Sequence, residues 1–211
     1  AVTVVNTGKG SAVALGVVAF AASAVRVNLT SVSWVVERSN VTATVVASGA
    51  LPVAALGVLL ESSAQSVTLV ARNVTVVVSK GSVVAVAGDG SVAAVAIVAV
   101  SQDLGVDMVV ADVALTAIIG SAIRAHSGKS NAAAVTVMAS GKSSANQLRL
   151  SKLVLAASQA TDVVASASDN NAGAVGVVVW STNRANVVTI ENTTATVSEN
   201  CIVAARTVDG G

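Results

Sequence analysis

Asp89, Lys129, Asp169 and Asp209 recur at intervals of forty residues, and a column of acids at a fixed step is the pattern in this chain closest to chemistry. Two carboxyl groups on either side of a glycosidic bond suffice for acid and base catalysis. If each forty-residue interval is one coil of a β-solenoid, Asp89 and Asp169 stand two coils apart, roughly 9.6 Å from twice the strand spacing. That separation touches the range of about 6.5–9.5 Å used by inverting glycosidases. The same residues also form a solvent-exposed ladder in which Lys129 relieves repulsion between neighbouring carboxylates, at ~0.5 kcal/mol per pair. No second acid column, arginine cluster or aromatic sugar platform accompanies them, so the ladder is the favoured reading. A carbohydrate-active β-helix enzyme, a polysaccharide hydrolase or lyase of pectin-lyase-like architecture with Asp89 and Asp169 as catalytic pair, is the alternative.

Other chemistries have less to build on. His126 is the only histidine; it lies beside Ser127, but no Gly-x-Ser-x-Gly elbow is present, so a solvated corner histidine is expected. Gly128-Lys-Ser130 and Gly141-Lys-Ser143 resemble the end of a phosphate loop, yet the glycine required five residues earlier is Ile123 in one and Thr136 in the other. Cys201 is the sole cysteine, which excludes an intrachain disulfide and a cysteine-based zinc site. No metal or cofactor is expected. Twelve Lys and Arg against eleven Asp and Glu leave no field that would gather nucleic acid. N-glycosylation sequons stand at Asn28, Asn40, Asn73 and Asn192; the last three also fall where a corner needs Asn for its tolerance of left-handed backbone angles.

These residues hang on a repeated phrase, Val92–Val100, whose other copies are Val13–Ala21, Ala54–Ser62, Ala133–Gly141 and Gly173–Ser181. Leu15, Leu56, Val95, Val135 and Val175 form one column. The columns two before (Val13, Ala54, Ala93, Ala133, Gly173), two after (Val17, Val58, Ile97, Val137, Val177) and four after are apolar throughout, which predicts an inward face with the alternation of a strand. The intervening columns, with Gly57, Thr136, Glu61 and Ser140, predict an outward face that tolerates polarity. A polar turn follows, then a second strand, a corner at Asn73, Asp112, Lys152 and Asn192, a third strand, and a fourth that aligns Val84, Ile123, Val164 and Val203. The first repeat reads as trimmed by about six residues between Val45 and Ser48-Gly-Ala-Leu-Pro.

Self-similarity at this period marks a repeat architecture. Short strands, Asn/Asp corners and column-wise identity predict an all-β parallel β-helix of about five stacked repeats of about 40 residues over residues 1–211 as a single segment. A five-bladed β-propeller is the rival, disfavoured by one-residue corners too tight for hairpins and by the scarcity of aromatics, which are Phe20, Trp34 and Trp180 alone. The uncharged stretch from Asn40 to Leu60 is β-branched and holds Pro52 and several Ser and Thr, so no transmembrane segment is expected.

Ser66-Val-Thr-Leu-Val-Ala-Arg-Asn-Val-Thr-Val-Val-Val-Ser, Val95-Ala-Ile-Val-Ala-Val-Ser-Gln and Ala132-Ala-Ala-Val-Thr-Val-Met-Ala-Ser resemble the dispersed gene family proteins of trypanosomes, large Val/Ala/Ser-rich surface proteins built of β-helix repeats. The resemblance runs over essentially the whole chain. It implies a non-catalytic, glycosylated protein at the cell surface or secreted, an adhesive or spacer module meeting a host-cell or extracellular-matrix protein or glycan. The opening Ala1-Val-Thr-Val-Val5 reads as mid-strand, which predicts a fragment of a larger repeat protein. Neither terminus resembles a solenoid cap, so end-to-end self-association is also expected.

Overall fold

Valine and alanine dominate the sequence, and a chain of such small, mostly β-branched side chains gains most by stacking like on like in extended structure. The computed structural model describes residues 1–6, 12–46, 53–142, 145–168, 171–181 and 185–207, all of it strand, corner and turn. After β1 (Val2–Asn6) come five rungs. The first is β2 (Ala12–Ala21), β3 (Val25–Glu37) and β4 (Asn40–Val45). Then follow β5 (Val53–Ser62), β6 (Val67–Ser79) and β7 (Val83–Gly88); β8 (Val92–Ser101), β9 (Val106–Ile118) and β10 (Ala122–Ser127); and β11 (Ala132–Gly141), β12 (Gln147–Ser158) and β13 (Asp162–Ala167). The last rung is β14 (Ala172–Ser181), β15 (Val187–Glu191), β16 (Thr194–Val197) and β17 (Ile202–Thr207).

Every pairing is between the same strand of successive rungs, and every one is parallel, giving three sheets in the orders β1-β4-β7-β10-β13-β17, β2-β5-β8-β11-β14 and β3-β6-β9-β12-β15, with β16 beside β12. This is the parallel β-solenoid; a propeller blade would pair its strands antiparallel. The expected second and third strands are one bent strand in β3, β6, β9 and β12. The bend is a single residue in the left-handed region: Ser31, Asn73, Asp112, Lys152 and Asn192 have φ of 56°, 52°, 54°, 53° and 53°. A second left-handed column, Arg38, Lys80, Ile119, Gln159 and Glu199, turns the chain toward the short strands.

Three expectations need correction. Ile123 pairs with Val163, not Val164, so the short-strand column is Val84, Ile123, Val163 and Val203. The first rung is not trimmed: β4 is present and pairs along its whole length with β7, while Ser48 to Pro52 lie outside the described residues. The column two before Leu56 is not inward, because Ala55 and Leu56, consecutive in the chain, both enter the inner core, and Ala54 and Ala93 pack on the opposite side with Leu59 and Val98. The alternation slips by one at this kink, and every rung shares the slip.

The interior divides into two apolar clusters. One joins the short strands to the start of the signature strand through Val84, Ile123, Val163 and Leu56; the other joins its end to β6, β9 and β12 through Leu60, Leu69, Met108 and Leu148. The side expected to face solvent is itself buried in the middle rungs, where Val98 is 0% and Leu59 1% exposed. Gly57 is fixed there by a close approach: its φ is 143°, and a Cβ would lie 1.8 Å from the Ala96 carbonyl oxygen.

Buried hydroxyls close the turns. Ser62 Oγ donates to the Ser23 carbonyl and accepts from the Gln65 N–H, Ser101 repeats the device in the same column of the next rung, and Ser127 does so at the turn after β10. Each thereby satisfies polar backbone that would otherwise be costly to enclose. On the fourth rung this column is Gly141, and Asn146 takes over: wholly buried, it accepts from the Val106 N–H at 2.9 Å and donates to Asn186 Oδ1 at 3.0 Å.

Candidate functional site

Parallel stacking places residues forty apart directly beside one another, so any polar column becomes a line of neighbours. Asp89 sits in the turn after β7, and its Oδ2 lies 2.8 Å from Lys129 Nζ on the next rung. The pairing expected of the bland ladder is therefore present. Asp169 and Asp209 lie outside the described residues, so Asp89 is the one member of the candidate catalytic pair with a described position.

The other charged columns behave alike. Lys152 Nζ reaches Asp112 Oδ1 at 3.1 Å across the corner column, and Arg124 Nη2 reaches Asp162 Oδ2 at 3.0 Å between β10 and β13. Lys80 donates to Glu37 Oε1, and this hydrogen bond, with the lysine charge, holds the Glu37 carboxyl below its ordinary range. All are exposed pairs of low individual worth. Their common feature is direction: each runs along the solenoid axis and ties one rung to the next.

His126 is exposed, and its Nδ1 lies 2.9 Å from Ser166 Oγ on the neighbouring rung. Its sequence neighbour Ser127 points the other way, buried, with Oγ donating to the Gly90 carbonyl. The two were adjacent in the chain and are separated by the pleat. Among the described residues, no three His, Cys, Asp or Glu side chains gather where a metal could be held. Nor is any described helix long and apolar enough to cross a membrane.

The four sequon asparagines, Asn28, Asn40, Asn73 and Asn192, are all exposed. Asn73 and Asn192 occupy the left-handed corner, as expected, and Asn73 Nδ2 donates to Ser31 Oγ at 3.1 Å. Asn40 opens β4 instead, and the left-handed residue nearby is Arg38.

Two features escaped the sequence reading. Glu61 is nearly buried beside Leu59 and accepts from Gln102 Nε2 at 2.6 Å. Across β8, β11 and β14 lies a recess of about 380 Å³, floored by Val98, Met138 and Val178 and edged by Asn131 and Asn171. Asn171 donates to Asn131 Oδ1 from both its backbone and side-chain nitrogens at 3.3 Å. The forty-residue spacing of Asn131 with Asn171, and of Asn146 with Asn186, was the available signal. No protein-family model, curated protein or solved structure matches this chain.

Proposed function

We propose that the chain is a non-catalytic structural repeat protein, a stiff spacer whose lateral faces carry Ser, Thr, Asn and paired charges toward an adhesive partner. One observation carries the reading: the cross-rung polar contacts Thr3 to Thr42, Asp89 to Lys129, Ser91 to Ser130, Asp112 to Lys152, Arg124 to Asp162 and His126 to Ser166 all run parallel to the axis. Catalysis asks for groups converging on one point; a load-bearing rod asks for repeated ties along its length. Exposed Asn28, Asn40, Asn73 and Asn192 suit a glycosylated surface module, and a host-cell or matrix glycan or protein suits these polar faces.

Pulling the chain from its two ends tests the mechanical reading. Release of contour in steps of about forty residues is expected, because each rung is bound mainly to its neighbours. A featureless low-force extension would remove the reading. Turnover of acidic polysaccharides that is lost in Asp89→Asn would replace it with the carbohydrate-active alternative.

A further inference from the structure

Thr136 stands near the middle of β11, a strand with a neighbour on each side, and is only 7% exposed. Its hydroxyl has no hydrogen-bond partner among the described residues. A buried hydroxyl left unpaired is costly, and native structures keep few of them. Thr136 borders two spaces. One is a void of about 30 Å³ in the inner core, where Trp34 has the only other polar-tipped side chain among the described lining residues. An enclosed water needs about two to four polar partners, so this void does not supply the missing one. The other space is the lateral recess of about 380 Å³ across β8, β11 and β14.

We propose that this recess binds one neutral small molecule with an apolar body and a hydrogen-bonding group, and that this group pairs with Thr136 Oγ1. The site stands on the recess and its unpaired hydroxyl, not on the spacer reading.

The lining selects the class of ligand. None of the described residues around the recess carries a charge, so an ion would lose its hydration with nothing to replace it. Val98, 0% exposed, closes the deep end, and beside it Met138 has a flexible thioether that adapts to the shape it meets. The volume lies in the range of small-ligand sites, about 300–1,000 Å³, which combine apolar walls with a few placed polar groups. Asn131 and Asn171 supply such groups at the rim, where two hydrogen bonds from Asn171 hold Asn131 Oδ1 and so orient its carboxamide. Room for the ligand comes from one column of small residues. Ala133 stands beside Gly173 in it, and a Cβ on Gly173 would meet nothing within 4 Å.

The probe is N-phenylnaphthylamine, a neutral fluorophore with a single N–H, titrated against the 211-residue chain beside its charged counterpart, anilinonaphthalene sulfonate. Saturable binding of the neutral probe, about tenfold or more tighter than that of the sulfonate, is expected. The chain has two methionines, Met108 in the inner core and Met138 in the recess. With both methyl groups isotope-labelled for NMR, the Met138 resonance is expected to shift on adding probe while that of Met108 stays. Thr136→Val keeps the shape and removes the hydroxyl. It is expected to weaken the probe about two- to tenfold, the worth of one hydrogen bond, while the probe-free variant unfolds at a urea midpoint no lower than the parent's. Ala133→Leu fills the recess from β11 and Gly173→Val fills it from β14; each, once circular dichroism shows a folded sheet, is expected to abolish binding. Uptake that does not saturate, a shift at Met108 without one at Met138, or equal affinity for the sulfonate would each overturn the proposal. So would affinity unchanged by Thr136→Val, a lowered urea midpoint in that variant, or full binding by a folded Ala133→Leu or Gly173→Val variant.

Discussion

Leu150 in β12 and Ile190 in β15 are the same position of consecutive rungs, yet the first is 1% and the second 49% exposed. Leu148 and Val188, one turn of the pleat away, repeat the contrast at 0% and 45%. Side-chain type does not separate the middle rungs from the last one, and neither does strand geometry. What separates them is a neighbour on both sides. Burial in this molecule is a property of stacking, so the energy of a residue depends on where its rung sits in the array.

Truncation at matched positions gives the largest expected contrast. Leu148→Ala leaves a cavity closed on all sides, and a loss of about 2–5 kcal/mol is expected. Val188→Ala removes fewer methyl contacts from a site already half open to water, and a loss under about 1 kcal/mol is expected. Because an array of rungs need not unfold as one unit, the readout is amide hydrogen exchange in β9 and β12, at concentrations where the chain is monomeric. Equal losses at the two sites would break the comparison.

Glycines sharpen it at intermediate size. A Cβ on Gly141 would stand 2.3 Å from Asn146 Oδ1 and 2.6 Å from the Leu104 carbonyl oxygen, whereas one on Gly173 meets nothing within 4 Å. Gly141→Ala is expected to cost about 1–3 kcal/mol, since it pushes aside the amide that satisfies the Val106 N–H. Gly173→Ala is expected to stay within about 0.5 kcal/mol of the parent. Urea midpoints of the two variants measure the difference, and a double variant with Asn146→Ala should cost less than the sum of its parts.

Much of this was legible in the residues. The forty-residue step gave the rung, the columns gave parallel stacking, and Asn73, Asp112 and Asn192 marked corners that proved left-handed. What the columns could not give was phase inside the signature strand. A shared kink at Ala55 is invisible to an apolar count in which Ala54, Ala55 and Leu56 all qualify, and so the expected inward column at Ala54 lies on the other side. The misalignment of Val164 has the same origin, since Val163 and Val164 are interchangeable by type. The chemistry was less legible: Asp89 and Lys129 could be placed in one line, but whether they pair depended on their turns, and the role of Asn146 depended on the missing side chain at Gly141.

The smallest expected effect concerns how the two ends are tied on. The first rung is joined to the second by Glu37 and Lys80, whereas two contacts that join the last rung to the fourth, of Asn146 with Asn186 and of the Thr161 N–H with Cys201 Sγ, are neutral. The lysine lowers the folded-state pKa of Glu37. The carboxylate therefore contributes stability at pH values above its unfolded pKa, and that contribution is lost as pH falls through the lowered folded value. Asn, Thr and the Asn amides do not titrate in this window. Acidification below the ordinary carboxylate range should accordingly raise exchange at the C-terminal ends of β3 and β6 slightly, with β15 and β17 unmoved. Glu37→Gln should flatten the pH dependence at β3 and leave its neutral-pH exchange at the acid level of the parent. If both ends loosened together on acidification, the ion pair would not be what distinguishes them, and the asymmetry of the two edges would lie in packing alone.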